Sequence, residues 1–143
     1  ANYAFYTDNT ADNSLSIDEL PLEFPDELAV LHFGSYSTAV EPTCTALIAL
    51  AVREAGKRVI SYDPNLRPSV QPDMEIWREN FAQLAKVADL WKAIDEDIGL
   101  LFGENISFES FAADTLALGV KAVAVTEGGK GATVYTADGR TAR

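Results

Sequence analysis

"RVISYDPNLRPS", Arg58–Ser69, sets a short β-branched run directly against a polar turn in which a carboxylate, a carboxamide and a guanidinium are pinned by two prolines. Five residues are too few for a stable helix, so "RVISY" reads as a strand, and the segments on either side decide what kind of sheet it joins. Upstream stands a second short apolar run, "ELAVLHF", followed by "EPTCTALIALAVREAGK", in which Leu47, Leu50, Ala51 and Ala55 recur at helical spacing and Gly56 supplies a stop. Downstream, "PDMEIWRENFAQLAK" places Ile76, Phe81 and Leu84 on one helical face behind the start signals Pro72 and Asp73. Strand, helix, strand, helix is the repeat of a parallel sheet.

The pattern continues. "VADLWKA" reads as a third strand, "DEDIGLLFG" as a short helix closed by Gly103, and "SFESFAADTLALG" as a helix opened by Ser107, with Ser110 where a capping box would carry Glu. "VKAVAVT" and "GATVYTA" are a fourth and a fifth strand. The short "EGGK" link predicts an antiparallel hairpin between them, whereas strands separated by helices should run parallel. The chain is therefore expected to be α/β with a mostly parallel sheet. Its ends differ from its middle. "ANYAFY" alternates enough for an exposed strand, "TDNTADNSLSIDELPLEF" reads as loop or a short helix, and "TADGRTAR" breaks off after the turn signal Asp138-Gly139. With no initiator Met, the chain is expected to be a piece of a longer one.

Composition narrows the function classes. The 143 residues are 48% hydrophobic and carry a net charge of -11, which opposes binding to nucleic acid or an anionic membrane surface. No apolar run approaches the roughly 20 residues that a bilayer requires, and the N-terminus lacks a signal-peptide layout, so a cytoplasmic location is expected. One cysteine, Cys44, and one histidine, His32, allow neither an internal disulfide nor a zinc site made of these ligands, and both are expected in the core or beside a strand. An anionic ligand would have to be held by a local cluster of donors.

Three motifs could supply one. In open parallel sheets ligands bind beyond the carboxyl ends of the strands, where "DPNLRP" falls. Pro64 and Pro68 restrict the turn, so Asn65 and Arg67 are held with little freedom left to lose, and the Arg67 fork matches paired phosphate oxygens. Ordinary turn chemistry with a solvated Arg67 explains the same residues. In "VTEGGKGA", Val125–Ala132, Gly128, Gly129 and Gly131 could expose successive backbone N–H groups to an anion, or simply form a hairpin turn; the pattern is neither a Walker A loop nor GxGxxG. In "KAIDEDIGLL", Asp95, Glu96 and Asp97 open a helix, where the macrodipole favours carboxylates, yet carboxylates at this edge could also hold hydrated Mg²⁺ beside phosphates.

The order "LHFGSYS", "ISYDPNLRPS", "ADLWKAIDEDIGLLFG", "ALGVKAVAVTEGGKGATVYT" resembles the ribokinase-like (PfkB) carbohydrate kinases, above all bacterial fructokinases and 2-keto-3-deoxygluconate kinases. The resemblance covers nearly the whole chain and includes the aromatic start with its "TAD..L" stretch. It implies a ribokinase-like three-layer α/β/α sandwich, here incomplete. Residues 1–25 would form a strand and loop of the lid near the sugar, and residues 26–143 the central part of the kinase domain. It also implies ATP, Mg²⁺ and a small-molecule sugar as ligands, with a homodimer as one candidate assembly of the parent. By motif, Arg67 would act in catalysis by positioning phosphate. Asn65, Arg67, Thr126, Gly128, Gly129 and Gly131 would bind the nucleotide, Tyr6 would approach the sugar, and Asp97 would take the carboxylate position associated with Mg²⁺.

This chain departs from the family where Ile94 replaces the usual Ser or Asn, which removes a polar group near the phosphates. The family's glycine-rich sugar-binding region and its "GAGD" motif, the source of the base Asp and the anion hole, do not occur in these residues. The expected function is ATP-dependent phosphorylation of a ketose or keto-sugar acid at a primary hydroxyl by a longer parent enzyme, the fragment alone being inactive. The alternative from another class is a non-catalytic nucleotide- or sugar-binding α/β module.

Overall fold

In the first four strands, residues of one parity are buried and those of the other are open, the signature of a sheet covered on a single face. The computed structural model describes residues 5–7 and 10–143. The strands are β1 (Val30–Gly34), β2 (Val59–Asp63), β3 (Leu90–Ile94), β4 (Ala122–Thr126), β5 (Ala132–Thr136) and β6 (Thr141–Ala142), lying side by side in sequence order. The pairs β1–β2, β2–β3 and β3–β4 are parallel, and β4–β5 and β5–β6 antiparallel. The hairpin expected across "EGGK" is present, and β6 is the strand that "TADGRTAR" begins after Gly139 at φ +84°.

The helices are α1 (Thr43–Glu54), α2 (Met74–Leu84), α3 (Asp95–Phe102) and α4 (Phe108–Ala117). Their start signals act as the sequence suggests: the Asp73 carboxylate accepts the Glu75 N–H at 2.9 Å and the Ser107 hydroxyl accepts that of Ser110 at 3.1 Å. Parallel strands taken in sequential order by right-handed crossovers put every connecting helix on the same face. The core is accordingly continuous from Phe33, Tyr62, Trp91, Val123 and Val125 of the sheet to Leu50, Trp77, Phe81, Ile98, Leu101 and Phe111 of the four helices. Aromatic edges fill its centre, with Trp91 4.5 Å from Tyr62 and 4.3 Å from Phe81 between ring centroids.

Of the three layers implied by the family resemblance, the described residues build the sheet and one layer of helices. The opposite sheet face carries Val30, Val59 and Leu90 exposed near the amino ends of their strands. Residues 10–28 lie over α1 as two 3₁₀ turns, Ala11–Asn13 and Ile17–Glu19, joined by loop. They are fastened by Arg58, which donates to the carbonyls of Leu28 and Phe24 and, with Arg53, pairs with the buried Glu54. The strand expected in "ANYAFY" falls largely on Ala1–Ala4, outside the described residues, and Phe5–Thr7 belong to no strand.

Cys44 is buried in α1, where it accepts from Asn80 Nδ2 at 3.1 Å and burial pushes its thiol up to about 11, so it is packing rather than a nucleophile. His32 lies on β1, but its side chain is exposed on the open sheet face, 3.1 Å from the Ser61 hydroxyl, so it does not belong to the core.

Candidate active site

The carboxyl ends of β1 to β4 meet along one edge, and the residues expected to bind phosphate lie there. At the end of β2, Asn65 adopts φ +42°, a left-handed conformation that Asn tolerates better than most residues but that surrounding structure must enforce. Three side chains, those of Arg67, Asp97 and Lys92, hold it. Arg67 folds back, and its Nη1 donates to Asn65 O at 3.0 Å, Asn65 Oδ1 at 2.7 Å and Leu66 O at 2.7 Å. Leu66 N–H donates to Asp97 Oδ1 at 3.1 Å. At the root of the turn, Lys92 Nζ lies 2.9 Å from Asp63 Oδ2. The Arg67 guanidinium also stands 5.9 Å from the Phe5 ring. Arg67 is thus a constrained, half-buried cation rather than a solvated one. With Nη1 spent on the turn, its other edge is the one a ligand would use.

Asp97 differs from its neighbours. Asp95 and Glu96 stay at the surface of α3, but Asp97 is only 2% exposed, on the side of the helix that also carries the buried Ile98 and Leu101. Burial pushes its carboxyl up to about 6, opposed by the Leu66 N–H; Asp63 adds to the rise, and Lys92 and Arg67 counter it. Its Oδ2 and the Oδ1 of Asp63 are buried oxygens with no protein partner. Two orphaned carboxylate oxygens are hard donors of the kind Mg²⁺ accepts, and they fit a cation that draws its remaining ligands from water and phosphate. Among the described residues, no three His, Cys, Asp or Glu side chains are grouped to hold a metal without such help.

A second part of the site is a cavity of about 520 Å³ lined by Ile94, Asp95, Glu96, Thr126, Gly128, Gly131 and Ala132. Its glycine loop is a 3₁₀ turn over Gly128–Lys130, with Gly128 at φ +55° and Gly131 at φ +109°. The hairpin turn expected of "EGGKG" is present. The Lys130 and Gly131 N–H groups bond within the turn, to Glu127 O and Gly128 O, and Glu127 N–H donates to Gly131 O. That leaves Gly128 and Gly129 as the loop's candidate donors, a narrower cradle than three glycines suggest. Ile94 puts an aliphatic wall into this cavity.

The structure thus brings Asn65, Arg67 and Asp97 into one hydrogen-bonded group and Thr126, Gly128 and Gly131 into one cavity, with α3 joining the two. Gly129 is exposed and does not line the cavity. Tyr6 is 88% exposed, whereas its neighbour Phe5 packs edge-on against Tyr36, 5.6 Å between centroids, and approaches Arg67. The Lys92–Asp63 pair and Phe5 have no motif to announce them. Both depend on long-range placement.

An Asn–Arg turn and a glycine loop thus stand together at the carboxyl edge of a parallel sheet, the edge at which open α/β proteins bind their ligands. The model for the "pfkB family carbohydrate kinase" matches residues 1–142, and the chain belongs to that family. It is 38% identical over 138 residues to the fructokinase of Rhizobium leguminosarum bv. trifolii, covering 96% of this chain and 42% of that protein. The apo crystal structure of fructokinase from Vibrio cholerae O395 superposes with a TM-score of 0.81 at 25% identity, over 99% of this chain and 47% of that one. The same enzyme in its "fructose, ADP and calcium ion bound form" gives 0.74 at 27% identity, over 94% and 42%. The fold is therefore ribokinase-like, and the chain spans less than half the length of these relatives. Among the described residues, no helix is long and apolar enough to cross a membrane.

Proposed function

We propose that this chain is the nucleotide-phosphate-binding part of a cytoplasmic ATP-dependent kinase that phosphorylates a ketose such as fructose, or a keto-sugar acid, at a primary hydroxyl. The observation that carries the proposal is the Asn65–Arg67 turn, tied to α3 through Asp97 and set beside the Thr126–Gly131 loop. Fructokinase relatives, one of them solved with fructose and ADP, support the substrate class. In this reading Arg67 meets the transferring phosphoryl group with its free edge. Asn65, whose carboxamide oxygen is held by Arg67, keeps its Nδ2–H donors for a phosphate oxygen. Thr126 and Gly128 contact the nucleotide from the cavity, and Gly131 keeps the loop open. Phosphoryl transfer needs little covalent chemistry from the protein; positioned donors and neutralised charge supply most of the rate. Asp97, with Asp63, would hold Mg²⁺, whose charge would offset that developing on the phosphates. Residues 10–25, with Tyr6 and Phe5, would contribute to the sugar side of the site and its lid.

The glycine loop offers a direct test. Gly131 has open space around its Cα but a backbone at φ +109°, so Gly131→Val is strained by conformation rather than by a clash. The variant should lose stability by about 1–3 kcal/mol and bind ATP several-fold more weakly, measured by thermal melting and calorimetric titration on the same full-length preparation. An earlier melt with full ATP affinity would reduce the loop to a hairpin turn and remove it from the site.

A further inference from the structure

Lys92 belongs to no phosphate-binding motif, yet its ammonium is the only basic side chain among the described residues that pairs with the root of the Asn65–Arg67 turn. Tyr62 and Trp91 are register partners, so the residues that follow them, Asp63 and Lys92, emerge side by side on the sheet face opposite the helical core. Asp63 is the point where the turn leaves the sheet. Its carbonyl accepts the Ser35 N–H at 3.1 Å, and Gly34 permits that approach because a Cβ there would lie 2.8 Å from the same oxygen. Its side chain has Oδ2 on Lys92 and Oδ1 unpartnered. The far side of the turn is held by Asp97 through Leu66 N–H, and the left-handed Asn65 is stretched between the two holds.

Resting on the sugar-kinase reading, we propose that Lys92 is a positioning residue. It holds Asp63, and through Asp63 the backbone from which Asn65 and Arg67 project, and it cancels the carboxylate charge that phosphate would otherwise meet. Without it, Arg67 alone would face Asp63 and Asp97, in a chain whose net charge is already -11. Its action runs through Asp63, so the effects of changing the two residues should be coupled rather than additive.

The experiment is a double-mutant cycle in the full-length enzyme, using Lys92→Met, Lys92→Arg, Asp63→Asn and the Asp63→Asn/Lys92→Met pair. Lys92→Met should lower kcat/KM for ATP by about 10- to 100-fold while the KM for sugar changes less than about twofold, as expected for a displaced phosphate-binding group. Lys92→Arg should recover most of the loss. The double variant should be no more impaired than Asp63→Asn alone, because Lys92 acts only through Asp63. Wild-type rates in Lys92→Met, or the same fold loss with and without Asp63, would overturn the proposal. Hydrogen exchange provides a readout independent of catalysis. The amides of Asp63, Asn65, Leu66 and Arg67 should exchange faster in Lys92→Met, but not in Lys92→Arg, with the rest of the sheet unchanged; unaltered exchange at the turn would also overturn it. If Lys92→Met does not fold, the Lys92→Arg and double variants carry the comparison. If the wild-type enzyme shows no sugar-dependent ADP release, the kinase reading fails while the exchange data still decide what Lys92 holds.

Discussion

Replacing Arg67 by Lys in the full-length enzyme should lower kcat/KM by on the order of 10- to 1000-fold while leaving its melting temperature nearly unchanged. One Arg67 nitrogen bonds to three turn oxygens, those of Asn65 O, Asn65 Oδ1 and Leu66 O, while the opposite edge of the guanidinium stays free. An ammonium cannot serve both. If Lys satisfies the turn it withdraws from phosphate, and if it reaches phosphate it releases the Asn65 carboxamide from its fixed orientation. The turn also has Leu66 on Asp97 and Asp63 on Lys92, so folding should survive the change. Steady-state kinetics with ATP varied at saturating sugar reads the effect, and unchanged kinetics would leave Arg67 only a brace of the turn.

Asp97→Asn should move stability and activity in opposite directions. Asn keeps a carbonyl oxygen where Leu66 N–H donates, but it removes a buried charge that the structure leaves half-satisfied. The Asp97 carboxyl is pushed from 3.8 up to about 6, chiefly by burial. The native state therefore holds a proton that the unfolded chain releases. Stability falls as pH rises from about 4 to 6, and the full cost, roughly 3 kcal/mol, is present above pH 6. Asp97→Asn should accordingly melt higher than wild type at pH 8, the two curves meeting below about pH 4. If Asp97 helps to hold Mg²⁺, kcat should fall about 100-fold or more at pH 8, and the gap should narrow below about pH 6, where the wild-type carboxyl is itself protonated. A variant that is both more stable and fully active would show that Asp97 only brackets the turn.

The fold was legible because its signals are local. "RVISY" and "VKAVAVT" are short apolar runs, Asp73 and Ser107 cap the helices they were expected to cap, and the "EGGK" link is too short for anything but a hairpin. The single covered sheet face also follows from sequential parallel strands. The site was legible where a motif carried its own geometry: prolines pin Asn65 and Arg67, and glycines take up positive φ at positions 128 and 131.

It was less legible where function depends on which way a side chain turns. The macrodipole accounts equally for Asp95, Glu96 and Asp97, and only the helical phase shared with Ile98 and Leu101 separates the buried one from the other two. Of the two adjacent aromatics Phe5 and Tyr6, local sequence could not say which would approach Arg67. The Lys92–Asp63 pair spans 29 residues and is fixed by strand register, which no short window contains. His32 alternates out of the core for the same reason: its strand has only one covered face.

The central claim, that this chain is the phosphate-binding part of a sugar kinase, is tested most directly by ADP release. A coupled assay on the full-length enzyme, with ATP, Mg²⁺ and a panel of ketoses and 2-keto-3-deoxygluconate, should show turnover that depends on one of these acceptors. The 143 residues alone, at equal concentration, should release none. A missing base is worth about 10² to 10⁴ in rate, and a missing oxyanion-hole-type donor about 10² to 10³. Full-length enzyme that releases no ADP with any of these acceptors, or purified 143-residue chain that turns over while an Arg67→Lys control prepared in parallel does not, would contradict the account.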